Sequence, residues 1–295
     1  MYDSRALVAL VTFALAGSLA ACGGSAARSG YEDAPPATDP NAPPPASTGD
    51  FDKNKPPPPS TNPAEINEVF GHSDTTLFRL DPKTKAVTEV GAFSDCGSVV
   101  DIALDESSNL FAASYTELYT VDKATAKCTS IATGDYPNSL SFVPKGTVDQ
   151  NAEALVGYDG SDYVRIDTKS GVKTKIGALG GGLVSSGDIV SVKGGKTYLT
   201  VKGGSCTTND CLVEVDPATG KLLKNWGSIE HKDVFGLSFW GGKIYGFNKT
   251  GDLFEVTFGT SQLATSMIAM PGKPAGLSFW GAGSSTSAPL VDIAK

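Results

Sequence analysis

The sequence is poor in the residues and motifs that most enzymes and metal sites require. It has two histidines, His72 and His231, and it contains no nucleophile elbow, phosphate-cradling loop or metalloprotease motif. No cysteine or histidine has a close partner at the spacing of a zinc site. We therefore predict no catalytic residue, no bound metal and no cofactor.

A basic excess and a membrane-spanning apolar run are also missing. Lysine and arginine number 24 against 32 acidic residues, which gives a net charge of −8. No basic stripe exists to displace the counterions of phosphates, so we predict that the protein does not bind nucleic acid. The longest apolar stretch near the start, residues 6–16, falls far short of the roughly 20 residues that a helix needs to cross a bilayer.

That apolar stretch is followed by Leu19, Ala20, Ala21 and Cys22, and then by two glycines. The arrangement resembles the signal peptide and lipobox of bacterial lipoproteins. The resemblance implies cleavage after residue 21 and a lipidated Cys22 at the start of the mature protein, carrying diacylglyceryl and a further acyl chain such as palmitate. Two or three chains hold a protein at a membrane where one chain would not. The alternative is an ordinary secretory signal with a chance cysteine.

The resemblance also implies a location in the bacterial cell envelope. Gly23 and Gly24 stand where an aspartate would favour the inner membrane of enteric bacteria, so we favour the outer membrane, without assigning a face. The membrane is then a partner through the N-terminal lipid.

Residues 22–64 have the composition of a disordered linker. Most of the chain's 18 prolines lie here, including runs at residues 43–45 and 56–59, among small and polar residues. Proline favours the extended polyproline II conformation, at about 3.1 Å per residue. We interpret the segment as a stalk between lipid and domain, with a proline-rich ligand for a partner protein as the alternative.

From residue 65 onward, short runs of alternating apolar and polar residues are bounded by turn residues, which predicts an all-β domain. One element ends in an aspartate and recurs every 41 to 49 residues, with threonine in the last copy. Its copies are residues 77–81, 118–122, 163–167, 212–216 and 253–257. A second element recurs in step with it, and its last two copies, residues 236–241 and 276–281, are identical over six residues.

Four strand-like runs per unit of about 44 residues resemble the blades of NHL-, WD- and quinoprotein-like β-propellers. We predict a five-bladed propeller over residues 65–283. The first unit lacks an innermost strand, and residues 276–280 form an unpaired one at the other end. We expect this C-terminal strand to close the ring by joining the first blade. Residues 284–295 are predicted to be a flexible tail.

With Cys22 assigned to lipid, four cysteines remain, and an even number in an exported protein suggests disulfides. Cys206 and Cys211 flank a short loop, which favours a bond between them. Cys96 and Cys128 are then left for each other. The strand assignment leaves that second pair open, because the two ends could lie on opposite faces of the blade.

The aspartates that end the first repeat element suit tight turns, because aspartate caps the backbone and glycine tolerates positive φ. Asp167 and Asp216 are followed four residues later by Gly171 and Gly220, whereas Lys85 and Ala126 occupy that position elsewhere. We expect those two turns to differ or to be strained. Calcium binding is the alternative for the aspartates, although one carboxylate per site is too few.

Symmetry suggests one candidate site, at the mouth of the central channel. Innermost strands begin at Asp101, Ser139, Asp188, Gly236 and Gly276. Asp101 and Asp188 should converge there, with Asn138 and Ser139 between them, and these groups could hold a hard cation or a polar ligand. Propeller lactonases have a comparable cluster.

Two functions follow as hypotheses. The first is a lipid-anchored, monomeric propeller that acts as a binding or scaffold module for an unknown protein or small molecule. The alternative is a metal-dependent hydrolase or lactonase with its site at the channel mouth. Fold likeness alone does not choose between them.

Overall fold

Short strand-forming segments separated by turns form the sheets of this protein. The computed structural model describes residues 68–260 and 262–292, which contain twenty antiparallel strands in five four-stranded sheets. Each sheet is one blade of a β-propeller, as predicted. Within the part of the chain that the structure describes, no helix has the length and apolarity needed to span a membrane.

The strands of each blade follow one another from the innermost outward. Blade 1 contains β20 (Gly281–Ser284), β1 (Val69–His72), β2 (Thr76–Leu80) and β3 (Val87–Ala92). Blade 2 contains β4 (Asp101–Leu104), β5 (Leu110–Ala113), β6 (Glu117–Asp122) and β7 (Lys127–Thr133). Blade 3 contains β8 (Leu140–Val143), β9 (Ala154–Asp159), β10 (Asp162–Ile166) and β11 (Lys173–Ala178). Blade 4 contains β12 (Leu183–Ser191), β13 (Thr197–Gly203), β14 (Cys206–Val215) and β15 (Leu222–Ser228). Blade 5 contains β16 (Val234–Trp240), β17 (Lys243–Asn248), β18 (Leu253–Phe258) and β19 (Leu263–Ile268).

Burial falls from the channel to the rim. The inner strands β4, β8 and β20 are buried at every position, whereas the outer strands β3, β11 and β15 contain only exposed and half-buried residues. The apolar core therefore consists of layers between neighbouring blades. Tyrosines reinforce these layers: the hydroxyl groups of Tyr158 and Tyr163 in blade 3 donate to the carbonyls of Gly220 and Pro217 in blade 4, at 2.6 and 2.8 Å.

A C-terminal strand closes the ring, as predicted, but it is not the predicted segment. β20 pairs with β1 in the register His72 to Gly281 and Val69 to Ser284. Residues 276–280 form an irregular crossover, with Gly276 at a φ of 76°. The assignment of residues 276–280 as the closing strand is therefore wrong by five residues.

Steric crowding explains this shift. A Cβ on Gly281 would collide with Asp101 and His72, and one on Gly283 would lie 2.9 Å from a methyl group of Leu104. Only small residues fit between β1 and β4 at these positions. The sequence Gly-Ala-Gly-Ser of β20 meets that condition, whereas the Leu-Ser-Phe-Trp of the repeat does not.

The segment after β20 crosses the end of the channel where the inner strands finish, which we call the end mouth. Ser285 bridges to Leu104 of blade 2, and the backbone of Thr286 accepts a hydrogen bond from Lys193 of blade 4 at 2.8 Å. Farther on, Pro289 accepts one from Gly241 of blade 5, also at 2.8 Å. The predicted boundary at residue 283 thus falls inside the closing strand, and residues 284–286 and 288 are buried, unlike a loose tail.

The aspartate turns are structural, and the two without glycine are strained as expected. Asp167 Oδ1 accepts hydrogen bonds from the N–H groups of Lys169 and Ser170 at 3.0 and 2.8 Å. Asp81, Asp122 and Asp216 make equivalent bonds. Lys85 and Ala126 take φ values of 63° and 57°, where L residues are disfavoured and glycine is not.

Candidate functional site

Asp101 and Asp188 lie at equivalent positions, near the channel end where the inner strands begin, which we call the start mouth. Asp101 is the first residue of β4, whereas Asp188 lies within β12, at the register shift between Ser185 and Ile189. Both side chains are 0% exposed. The two predicted channel-mouth aspartates are thus inside the protein and not on its surface.

Each carboxyl group accepts one hydrogen bond from its own strand and one from the next blade. Asp101 accepts from the N–H of Ile102 at 2.8 Å and from that of Leu140, in blade 3, at 2.6 Å. Asp188 accepts from Ile189 and from Leu237, in blade 5, both at 2.6 Å.

The N–H of Ala282, in blade 1, also donates to Asp101. The five donors therefore come one from each blade. Four are the second residue of the inner-strand repeat element, and Ala282 is the second residue of β20. The donors are Ile102, Leu140, Ile189, Leu237 and Ala282.

The two carboxyl groups are also hydrogen-bonded to each other across the channel. Burial raises the pKa of Asp101 well above its usual range. Burial also raises the pKa of Asp188, and the adjacent charge of Asp101 raises it further. Two carboxylates in contact repel each other, which disfavours the simultaneous ionisation of both groups.

His72, on β1, completes this cluster and was not recognised from the sequence. It pairs with Gly281, and the missing side chain of that glycine leaves its ring and Asp101 facing the same space. Its Nδ1 donates to the carbonyl of Ser73 at 2.7 Å, and burial lowers the pKa of the imidazole to about 4. The ring is therefore neutral at physiological pH, with Nε2 a buried acceptor that has no protein partner among the described residues.

The other predicted site residues contribute less. Ser139 is fully buried, and its hydroxyl has no hydrogen-bond partner in the described part of the protein. Asn138 is half-buried in the crossover that leads to β8. Gly236 occupies the equivalent position in blade 5, while Gly281, and not Gly276, occupies it in blade 1.

The chemistry of this arrangement is that of a buried hydrogen-bond centre. Among residues 68–260 and 262–292, no group of three His, Cys, Asp or Glu side chains is placed to hold a metal ion. Two surface cavities of about 370 and 270 Å³ lie on blade 2 and between blade 1 and the crossover before β20, and neither is lined by the aspartate pair.

Both predicted disulfides are present. Cys206 and Cys211 have Cα atoms 5.7 Å apart, and those of Cys96 and Cys128 are 5.6 Å apart. The second bond forms because the crossover after β3 runs beside β7, where Cys128 donates its N–H to Ser94 at 2.9 Å. Two disulfides are typical of exported proteins. Cys22, like all of residues 1–67, lies outside the described residues.

Fold and site together define the protein as a five-bladed, disulfide-bonded β-propeller. No protein-family model matches the sequence, and no curated protein matches it significantly. Among solved structures, hydrazine synthase of Kuenenia stuttgartiensis is similar at 13% identity with a TM-score of 0.37, covering 68% of this chain and 62% of that one. This chain thus spans less than two thirds of that protein.

Two further solved structures are similar. One, from a nidogen/laminin complex, has 12% identity and a TM-score of 0.45, covering 73% of this chain and 97% of that one. The other is a Bacteroides caccae protein of unknown function, with 10% identity and a TM-score of 0.39, covering 72% and 77% of the two chains.

Proposed function

We propose that this protein is a lipid-anchored propeller of the bacterial cell envelope that acts as a binding or scaffold module. The observation that carries the proposal is the pair of disulfides, Cys96–Cys128 and Cys206–Cys211. Disulfides form and persist in oxidising compartments. They agree with an N-terminal export signal, and they leave Cys22 as the one cysteine of the chain available for lipid.

The aspartate pair favours this function over catalysis. The alternative, a metal-dependent hydrolase or lactonase at the channel mouth, would use Asp101 and Asp188 as ligands or acid–base groups. Both are fully buried, and their oxygens already accept backbone hydrogen bonds. A substrate would have to displace bonds that join the blades.

The start mouth is the better surface for a ligand. The segment after β20 crosses the end mouth, where Ser285 and Pro289 bond to blades 2 and 5. The start mouth is bordered by the turns between the second and third strands of each blade, among them the turn that carries Tyr115, 58% exposed. An exposed aromatic side chain with a polar tip suits protein or small-molecule recognition. We expect the module to work as a monomer without nucleic acid.

The anchor is tested by replacing Cys22 with serine in the full-length protein. We expect loss of metabolic labelling by palmitate and release of the protein from membranes, because no acceptor thiol remains at the lipobox. Cys211→Ser is the matched control: it removes a cysteine and a disulfide but leaves the lipobox intact, so it should still be labelled. Continued labelling and membrane retention of Cys22→Ser would refute lipid anchoring.

A further inference from the structure

The channel contains five buried backbone donors that no sheet can satisfy. The inner strands have a neighbour on one side, and their other edge faces the channel. Buried N–H groups are costly to leave without an acceptor. The pseudo-fivefold symmetry therefore places one such donor per blade around the axis, from Ile102 to Ala282.

Two side chains serve all five donors. Asp101 accepts from blades 1, 2 and 3, and Asp188 accepts from blades 4 and 5. The carboxyl–carboxyl hydrogen bond then joins the two sets. Glycine at position 281 leaves room for the Asp101 carboxyl group, since a Cβ there would collide with Asp101 Oδ1. Glycine at position 236 leaves room for Gly281 and Ala282 of β20.

No opposite charge balances this pair within the described residues that pack around it. Apart from Asp101 and Asp188, the five inner strands carry no titratable residue. β1 contributes His72, which burial keeps neutral, and β13 contributes the hydroxyl of Thr200 to the N–H of Asp188 at 2.9 Å. A doubly ionised pair would therefore be two like charges in contact and out of water, which is strongly disfavoured.

We propose that Asp101 and Asp188 form a proton-binding hub that joins the five blades, and that the ring is stable only while the two carboxyl groups share one proton. The hub lies beyond the binding function proposed above and does not depend on it. It gives a structural role to two acidic residues in a channel where neither meets solvent.

The sign of the pH dependence follows from proton linkage. A group whose pKa is higher in the folded state than in the unfolded state stabilises the fold fully below the unfolded value, about 3.9 for aspartate. That stability is lost as the pH rises toward the folded value. One extra proton in the folded state makes the unfolding equilibrium constant rise about tenfold per pH unit. Between pH 7.5 and 9 the two histidines do not interfere, because burial lowers the pKa of both.

The test compares urea unfolding of the wild type with Asp188→Asn and Asp101→Asn across this pH range, with the disulfides intact. The asparagine amide can donate the cross-channel bond without a titrating proton, although its nitrogen no longer accepts one of the two backbone hydrogen bonds that the carboxyl group accepts. We expect the unfolding equilibrium constant of the wild type to rise about tenfold per pH unit because of the shared proton. Both variants should lack this rise. Asp216→Asn, in an exposed turn, should keep the wild-type slope. Wild-type slopes in both hub variants would overturn the proposal.

Two measurements keep the proposal testable should the asparagine variants not fold. Calorimetry of the wild type at pH 8, in buffers of different ionisation enthalpy, should show release of one proton on unfolding. No net release would contradict a shared proton.

In Asp188→Gly, which empties half of the hub, millimolar formate should raise the melting temperature, whereas it should leave the melting temperature of the wild type unchanged. Equal effects on both would contradict a hub built on carboxylate acceptors.

Discussion

Residues 236–241 and 276–281 have the same sequence, Gly-Leu-Ser-Phe-Trp-Gly, and different structures. The first copy lies in β16 and pairs with β17 from Gly236 to Trp240. The second copy is an irregular crossover that ends where β20 begins. The same local sequence therefore adopts two conformations, and the neighbouring structure determines which one forms.

What surrounds each copy explains the choice. Val234 and Phe235 precede the first copy and continue the strand, whereas Pro274 precedes the second and accepts a hydrogen bond from Leu277 across a turn, at 3.2 Å. Proline also disfavours a strand interior. The innermost strand position of blade 1 has room only for small side chains. Pairing with β1 therefore begins at Gly281 and not at Gly276.

Removal of β20, the strand that follows the second copy, should destabilise the protein most. Termination after Trp280 deletes β20 and opens blade 1 between blades 2 and 5. We expect no cooperative unfolding transition in urea, because the lost contacts exceed the roughly 5–15 kcal/mol by which domains are stable. Termination after Asp292 keeps β20 and the segment across the end mouth, and it should unfold like the full chain. A cooperative transition in the shorter protein would mean that residues 276–280 can close the ring.

The tryptophans of the two copies should differ in their contribution to stability. Trp240 is 2% exposed at the end of β16, whereas Trp280 is half-buried against the cluster that includes Val100 and Leu140. We expect Trp240→Ala to lower the free energy of unfolding by about 3–5 kcal/mol, and Trp280→Ala by about half as much. Urea titrations of both variants decide this. Equal losses would mean that the two copies have equivalent environments.

Alanine substitutions of Gly236 and Gly276, the first glycine of each copy, should have the smallest effects on stability, and these effects should differ. A Cβ on Gly236 would collide with the backbone of Gly281 and with Ala282, so Gly236→Ala should cost about 3 kcal/mol. Gly276 has open space around it but a φ of 76°, so Gly276→Ala should cost only about 1 kcal/mol. The measurement is the shift in the urea midpoint of each variant. The reverse order would place Gly276, and not Gly236, beside the closing strand.

The features that could be predicted from the sequence are those that the repeats and the cysteines determine. Strand periodicity and the aspartate turns predicted five blades, and elimination paired Cys96 with Cys128. The equivalence of Asp101 and Asp188 brought both to the channel axis. Each of these inferences depends on a pattern that local sequence records.

The rest depended on packing that a sequence does not display. Gly281 to Ser284 have little intrinsic preference for a strand, and only the confined space beside β4 makes them one. His72 entered the site because it pairs with Gly281, which the predicted register did not allow. The burial of Ser285 and Thr286 likewise depends on a channel end formed by four other blades.

Closure of the ring by residues 281–284 against residues 69–72 can be observed by NMR of the isotope-labelled domain. We predict nuclear Overhauser contacts between the backbone protons of Gly71 and Ala282 and between those of Phe70 and Gly283. Contacts from Gly71 or Phe70 to residues 276–280 instead would contradict it.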